Sequence, residues 1–160
     1  MNVNIEITRD VERPGYATDG AAAFDLQVGD FLSVPDWLPT AGPGDMPVGM
    51  NRVTLGPNLQ CWVGTGIRMD IPEGYGLLIC PRSGLGAKRG LVLGNGAAVI
   101  DSDYTAEIKL ALWNRGDQGI EINRGDRVAQ AWLLPAVQAN FCAVRSIEDS
   151  GRGAFGSTGG

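Results

Sequence analysis

The chain has 160 residues, a formal net charge of −5 and no histidine. This length suits one domain with a sizeable core, and the negative charge disfavours direct nucleic-acid binding. Lack of histidine excludes Ser-His and Cys-His nucleophile pairs and imidazole metal ligands, so acid-base chemistry falls mainly to carboxylates. With no apolar run of eighteen residues and no basic-then-apolar start, we expect a soluble cytoplasmic protein without membrane contact.

The N-terminal part predicts a strand followed by a loop insertion. Residues 1–8 alternate apolar and polar side chains, which is typical of a half-buried strand. Asp25 then lies between Phe24 and Leu26, either as a strand-end or turn aspartate or as one held at a subunit boundary or near a cation. Four prolines and several glycines between Gly29 and Asn51 exclude a regular helix or central strand, so we predict a loop insertion over 29–51.

From Arg52 onwards, short apolar or alternating runs are separated by turn residues, and no stretch keeps a 3.6-residue period. The clearest predicted strands are 75–80, 107–113, 127–134 and 140–144. This pattern predicts an all-β sandwich or barrel, which we assign to a single domain over 1–148. The three cysteines lie in apolar contexts without a C-x-x-C pair, so we predict core thiols rather than disulfides or a zinc site at Cys61, Cys80 and Cys142.

The Asn95-Gly96 pair between two apolar runs is typical of a tight β-hairpin, because both residue types tolerate positive φ. Beyond it, Asp101 and Asp103 are two residues apart and would share one face of a strand. They mark either a solvated strand end or a general base or cation site beside Tyr104.

Two glycine-containing segments have the composition of phosphate contacts. Residues 81–86 place an arginine, a hydroxyl and two glycines after an apolar strand, which suits phosphate oxygens, although an ordinary turn is the alternative. Residues 151–160 combine one arginine, one aromatic ring and two hydroxyls among glycines. They form either a flexible tail or a segment that closes over a nucleotide.

Five segments in this order, over nearly the whole chain, resemble the five motifs of the trimeric dUTP pyrophosphatases, or dUTPases: 22–26, 81–86, 98–107, 127–130 and 153–159. The resemblance implies a jelly-roll-like β fold, a homotrimer with shared active sites, and a requirement for Mg²⁺. It also implies hydrolysis of dUTP to dUMP and pyrophosphate. Residues 149–160 would be a glycine-rich C-terminal arm that closes over an active site.

The resemblance also assigns roles to single residues. Asp101 would orient and activate the water that attacks the α-phosphorus, as a carboxylate ordinarily ionised at neutral pH can do. Asn95 and the turn backbone would read uracil, and Tyr104 would pack against the sugar and exclude a 2′-hydroxyl. Asp25 would support hydrated Mg²⁺ indirectly, through water. The remaining implied substrate contacts, with Phe155 covering the uracil, are Arg82, Ser83, Gly84, Gln130, Arg152, Phe155, Ser157 and Thr158.

Some positions depart from the family pattern, and two other activities compete. The fifth motif usually has its arginine five residues before the phenylalanine, where this chain has Ser150, whereas Arg152 lies three before it. The alternatives are a dCTP deaminase or bifunctional relative, and a non-catalytic regulatory trimer that binds nucleotide. The spacing from Asp101 to Tyr104 favours the pyrophosphatase over the deaminase, and an intact Asp101 argues against lost catalysis.

Overall fold

A computed structural model of the chain describes residues 1–32 and 50–149. These residues form twelve strands and one short helix. In chain order the elements are β1 (Asn4–Ile7), β2 (Phe24–Gln27), β3 (Asp30–Leu32), β4 (Arg52–Leu55), β5 (Gln60–Gly64), β6 (Ile67–Asp70), β7 (Tyr75–Pro81), α1 (Ser83–Arg89), β8 (Leu91–Leu93), β9 (Ala98–Ile100), β10 (Lys109–Asn114), β11 (Ile120–Asn123) and β12 (Arg127–Pro135). Within this part of the chain, no helix has the length and hydropathy that a membrane span requires.

Two four-stranded sheets, with orders β3-β5-β10-β8 and β2-β12-β7-β9, form the main layers. Two-stranded pairs β1-β6 and β11-β4 complete the fold, and all these pairings are antiparallel. Both large sheets contribute to one buried apolar cluster, in which Val63, Leu77, Ile79 and Leu112 are fully inaccessible to solvent. Burial of this apolar area drives the assembly of the sheets. The predicted all-β class is confirmed.

Helix α1 replaces the loop that the sequence predicted at 81–86. Its N-cap, Arg82, has extended backbone, and its C-cap, Gly90, has the left-handed φ of 76° that favours glycine. Gly84 and Gly86 are poor helix formers, which explains why the helix was missed. Gly86 is buried close to Val92, so packing on the neighbouring strand outweighs the low intrinsic preference.

One predicted boundary and one predicted strand were wrong. The insertion predicted over 29–51 begins too early, because Asp30–Leu32 form β3, which pairs with β5. Phe31 anchors this strand, with 4% of its surface exposed. The strand predicted over 140–144 is absent, since no helix or strand follows Pro135 in the described residues, and 136–149 are exposed.

The three cysteines have three different environments, so the prediction that all are core thiols was wrong for two of them. Cys61 is buried, Cys80 is half-buried and Cys142 is exposed. Burial raises the pKa of the Cys61 thiol to about 12, which keeps it protonated and unreactive at neutral pH. Cys142 lies in the exposed segment after β12, where an apolar sequence context does not produce burial.

The predicted Asn95-Gly96 hairpin is instead a turn between the two large sheets. β8 pairs with β10 and β9 pairs with β7, so the strands flanking the turn do not pair with each other. The Gly96 N–H donates to the Leu93 carbonyl over 3.0 Å, which places Gly94 and Asn95 at the centre of the turn. Gly96 alone of the predicted pair has positive φ, at 75°. The chain thus crosses from one layer to the other here.

Candidate active site

A cleft of about 580 Å³ lies between β2, β12, the start of α1 and the segment 12–17. Four predicted phosphate contacts line it, and Asp25 lies among them. Strand register explains this grouping, because Gln130 of β12 lies opposite both Asp25 of β2 and Cys80 of β7. The functionally relevant lining residues are Glu12, Arg13, Asp25, Arg82, Ser83, Gly84, Arg127 and Gln130.

Asp25 is bound by two arginines in this cleft. Arg82 Nε lies 2.8 Å from one carboxylate oxygen, and Arg127 Nη1 lies 3.7 Å from the other. Arg82 also donates to the Arg127 carbonyl over 3.1 Å. Asp25 is the second residue of the four-residue strand β2, so it is neither a turn residue nor the last residue of the strand. It binds Arg82 closely and Arg127 more loosely, and guanidinium groups suit phosphate oxygens.

The cleft contains charged residues that the sequence interpretation missed. Arg13, Arg82 and Arg127 face it together with Glu12 and Asp25. The cationic groups outnumber the carboxylates, so the local field favours an anion despite the negative charge of the chain. The signals available in the sequence were the position of Arg127 inside the fourth motif and the run of charged residues around 9–13.

Ser83 and Gly84 open helix α1 at the mouth of the cleft. The first N–H groups of any helix lack partners within the helix, so their backbone can donate to an oxygen-rich ligand. Gly84 has no atom within 4 Å of the position that a Cβ would occupy, which leaves its backbone accessible. Gln130 is oriented by a 3.1 Å hydrogen bond from its side-chain nitrogen to the Pro81 carbonyl.

Asn95 lies in a different depression, of about 320 Å³, together with Gln60, Trp62, Ala98 and Lys109. Its side chain is exposed at the turn between the sheets. Trp62 Nε1 is the one buried side-chain nitrogen or oxygen in the described residues without a hydrogen-bond partner. Asn95 thus has polar neighbours, but none of the predicted phosphate contacts lines the same depression.

Asp101 and Tyr104 belong to a turn directly after β9. The Tyr104 N–H donates to the Asp101 carbonyl over 3.2 Å, and Asp101, Asp103 and Tyr104 are all exposed. The prediction that the two aspartates share a strand face was wrong, because β9 ends at Ile100 and the turn reorients them. Tyr104 Oη donates to the Glu107 carbonyl over 2.9 Å, which fixes the ring.

Within one chain, the turn at Asp101 and the arginine cleft lie at opposite corners of the same sheet. Ile100, the residue before Asp101, pairs with Leu77 of β7. Arg82 follows the end of β7 and lies five residues after Leu77, which at roughly 3.3 Å per residue separates them by about 17 Å. β2 and β9 are also opposite edges of the sheet, three strand spacings or about 14 Å apart. A single chain does not bring the predicted base and the predicted phosphate contacts together.

Glu107, just beyond this turn, is bound at both of its carboxylate oxygens. Arg9 Nε donates to one oxygen over 2.9 Å and Arg9 Nη2 to the other over 3.0 Å. The Gly66 N–H adds a 2.8 Å bond. The hydrogen bond from Arg9 is the main cause of a lowered pKa of Glu107, and the same contact raises the pKa of Arg9.

We expect the Glu107→Gln variant to be less stable than the parent chain at pH 7 by about 1–2 kcal/mol, because Arg9 loses its two-point charged partner and keeps only Asp30. A lowered folded-state pKa means that this stabilisation is complete above the ordinary value of 4.5 and is lost as pH falls through the lowered pKa. Urea unfolding of both proteins between pH 7 and pH 3 measures the difference. A stability difference that does not shrink below pH 4.5 would contradict this account.

The residues 1–32 and 50–149 contain no group of three or more potential metal-binding side chains. Asp25 and Glu12 are the carboxylates that line the cleft, and the Asp25 oxygens retain acceptor capacity beyond the two arginines. This donor set fits Mg²⁺, which usually keeps several waters and relies on one or two carboxylates plus substrate phosphates. The predicted contacts Arg152, Phe155, Ser157 and Thr158 lie outside the described residues.

Comparison with known proteins gives consistent results. The family model described as dUTPase matches residues 48–159. A deoxyuridine 5'-triphosphate nucleotidohydrolase of Hahella chejuensis is 39% identical over 153 residues, covering 94% of this chain and 88% of the relative. The protein of the same name from Legionella pneumophila is 42% identical over 149 residues, covering 91% and 86%.

Solved structures agree on the fold. The dUTPase of Staphylococcus bacteriophage 80alpha with dUPNHPP has a TM-score of 0.77 at 20% identity and covers 99% of this chain and 98% of that chain. A dUTPase from phage phi11 of S. aureus, described with a coordinated structural Mg(II) ion, has a TM-score of 0.73 at 18% identity and covers 93% and 100%. On the match to the family model and the identity to its curated relatives, the chain belongs to the dUTPase family.

Proposed function

We propose that this protein hydrolyses dUTP to dUMP and pyrophosphate, with the roles of single residues described below. The curated relatives that cover most of the chain carry the name of this activity. The observation that carries the proposal is the cleft at Arg82, whose fixed guanidinium groups and open helix start suit a triphosphate. Asp101, exposed on a turn held by Tyr104, supplies the carboxylate that hydrolysis needs.

In the proposed reaction, a water molecule attacks the α-phosphorus while Asp101 accepts its proton. The new bond joins the water oxygen to the α-phosphorus, and the bond from that phosphorus to the bridging oxygen breaks. The bridging oxygen leaves with the β-phosphate as pyrophosphate. Arg82, Ser83, Gly84 and Gln130 hold the phosphate oxygens and offset their charge, which is the main demand of phosphoryl transfer on a protein.

Selection of the deoxyuridine group would fall to the two turns on either side of β9. Asn95 and the turn backbone hydrogen-bond the polar edge of uracil, and a mismatched base leaves buried donors or acceptors unpaired. The Tyr104 ring, fixed through its hydroxyl, lies against the deoxyribose and leaves no room for a 2′-hydroxyl. Phe155, Ser157, Thr158 and Arg152 complete the proposed site from the C-terminal arm, residues 149–160.

Mg²⁺ would neutralise phosphate charge in the bound nucleotide. Asp25 is the proposed support for the hydrated ion, through water rather than by direct coordination. Its position beside Arg82 and opposite Gln130 favours this role, because it places one carboxylate among the phosphate contacts.

We also propose a homotrimer with shared active sites, which the separation of Asp101 and Arg82 within one chain supports. Arg82 follows β7 and Asp101 follows β9, which pairs with the other end of β7, so the two residues are separated along the strands. This separation supports a site in which one chain supplies the base and another the phosphate contacts. The segment after β12 adds independent support, because residues 1–32 and 50–149 leave several of its apolar side chains uncovered. Val137 and Phe141 are both 93% exposed and Ile147 is 87% exposed. Exposed apolar groups in series are typical of a surface that packs on a partner.

We expect the purified protein with Mg²⁺ to release pyrophosphate from dUTP at least a hundredfold more efficiently than from dCTP, dTTP or UTP. The physical reason is that a mismatched base leaves hydrogen-bonding groups of the site unpaired, and that the Tyr104 ring leaves no room for a 2′-hydroxyl. The measurement is kcat/KM for each nucleotide by coupled pyrophosphate detection. Ammonia release from dCTP would instead assign the chain to the deaminases, and nucleotide binding without turnover would make it a regulatory trimer.

A further inference from the structure

A chain of polar contacts connects the N-terminal segment after β1 to the Tyr104 ring. Arg9 donates hydrogen bonds from Nε and Nη2 to the two oxygens of the Glu107 carboxylate. The third nitrogen of the guanidinium, Nη1, donates to Asp30 Oδ2 over 3.2 Å. The carbonyl of Glu107 accepts the Tyr104 hydroxyl. One residue thus receives Arg9 on its side chain and Tyr104 on its backbone.

The surroundings of Glu107 favour a fixed position. Its side chain is 15% exposed and that of Arg9 is 30% exposed, so solvent screens this pair less than a surface pair. A Cβ at Gly64 would lie 2.5 Å from Glu107 Oε1, so the absence of a side chain there makes room for the carboxylate. The backbone of the following residue is also fixed, because the Ile108 N–H donates to the Ile67 carbonyl over 2.9 Å.

A second arginine restrains the same segment from its other side. Arg68 Nε donates to the Thr105 carbonyl over 2.7 Å and is itself bound to Glu6. The backbone between Asp101 and Glu107 is therefore held at Thr105 and at Glu107, in a part of the chain without helix or strand. Irregular backbone needs such side-chain anchors, because no ladder of backbone hydrogen bonds fixes it.

From these contacts we infer that Arg9 and Glu107 are positioning residues for sugar selection: their two-point contact sets the Tyr104 ring in the orientation that discriminates deoxyribose from ribose. The inference rests on the proposed function, since it takes Tyr104 as the residue that meets the sugar. Neither Arg9 nor Glu107 touches substrate in this account. They act through the Glu107 carbonyl and the tyrosine hydroxyl.

The test is the ratio of kcat/KM for dUTP to kcat/KM for UTP, measured with the full chain and Mg²⁺. Loss of folded protein scales both values equally and cancels in the ratio, so a merely stabilising role leaves the ratio unchanged. We expect Glu107→Gln to lower the ratio about tenfold, because small displacements of a positioning group have large kinetic effects. Tyr104→Phe, which removes only the hydroxyl, should lower it by a similar factor.

The double variant Glu107→Gln with Tyr104→Phe tests whether both residues act by one route. A shared route predicts that the double variant loses no more discrimination than either single variant. Glu121→Gln is the matched control, because Glu121 also pairs with an arginine, Arg52 at 3.5 Å, but on β11. Its ratio should equal that of the parent chain.

The outcomes separate this inference from the proposed function. If the parent chain prefers dUTP and Glu107→Gln keeps the full ratio, the positioning role is wrong and the proposed function stands. Additive losses in the double variant would also overturn the shared route. If the parent chain hydrolyses dUTP but does not distinguish it from UTP, the sugar-selecting role of Tyr104 and the positioning role are both wrong, and if it does not hydrolyse dUTP at all, the proposed function fails. Should Glu107→Gln not fold, Arg9→Lys makes the same test, since it keeps the charge and removes the two-point contact.

Discussion

Replacement of Asp101 by asparagine is expected to lower kcat for dUTP about 10²- to 10⁴-fold, the range typical for loss of a general base. The amide has nearly the same shape but cannot accept a proton from the attacking water. KM should change little, because Asp101 has no assigned contact with the ground-state nucleotide. Steady-state kinetics with Mg²⁺ and binding of a non-hydrolysable dUTP analogue measure the two effects separately.

Asp103 provides the matched control for this experiment. It lies in the same turn and is exposed, as Asp101 is, but it has no assigned chemical step. The Asp103→Asn variant should keep kcat within about threefold of the parent value, as is usual for an exposed surface substitution. Undiminished turnover in Asp101→Asn, or an equal loss in both variants, would remove Asp101 from the role of base.

Mixed trimers of two inactive variants are expected to recover about a quarter of the parent activity if the sites form between chains. One variant carries Asp101→Asn and the other Arg82→Ala. In a random 1:1 mixture, one site in four draws Asp101 from an Arg82→Ala chain and Arg82 from an Asp101→Asn chain. The physical reason is that these residues lie at opposite ends of β7, one directly after it and the other beside its start.

The measurement is specific activity after the two variants are unfolded together and refolded as a mixture. Each variant refolded alone supplies the baseline, and a parent chain refolded in the same way supplies the upper value. Activity no greater than the mean of the two baselines would place base and phosphate contacts in the same chain. That result would refute shared sites without affecting the assignment of the substrate.

The sequence was sufficient for the fold class and for selecting four predicted phosphate contacts that line one cleft. Short runs in which apolar and polar residues alternate, separated by turn residues, predicted the β layers, because a strand that is buried on one face has an apolar side chain at every second position. Arg82 and Gln130 were assigned through motif resemblance, and strand register then brings Gln130 opposite Asp25. The role of Asp25 as the centre of an arginine pair had no sequence signal, since pairing partners lie far apart in the chain.

Other features were missed because tertiary packing outweighed local preference. Helix α1 forms across two glycines since Gly86 packs against a neighbouring strand. The turn at Asn95 carries a hairpin signature, yet its flanking strands join different sheets. Local propensity describes the turn but cannot say which strands pair. Arg9 and Glu107 are 98 residues apart, so their contact could not be inferred from spacing.

The placement of Asp101 and Arg82 at opposite ends of β7 has a consequence for a newly synthesised chain before it assembles. Under the proposed arrangement, β7 acts as a spacer that keeps an isolated subunit from completing any site by itself. A monomer is then catalytically silent however well it folds, and activity arises only on assembly. Turnover per chain should accordingly fall on dilution below the subunit dissociation constant, which makes enzymatic activity a direct reporter of oligomerisation.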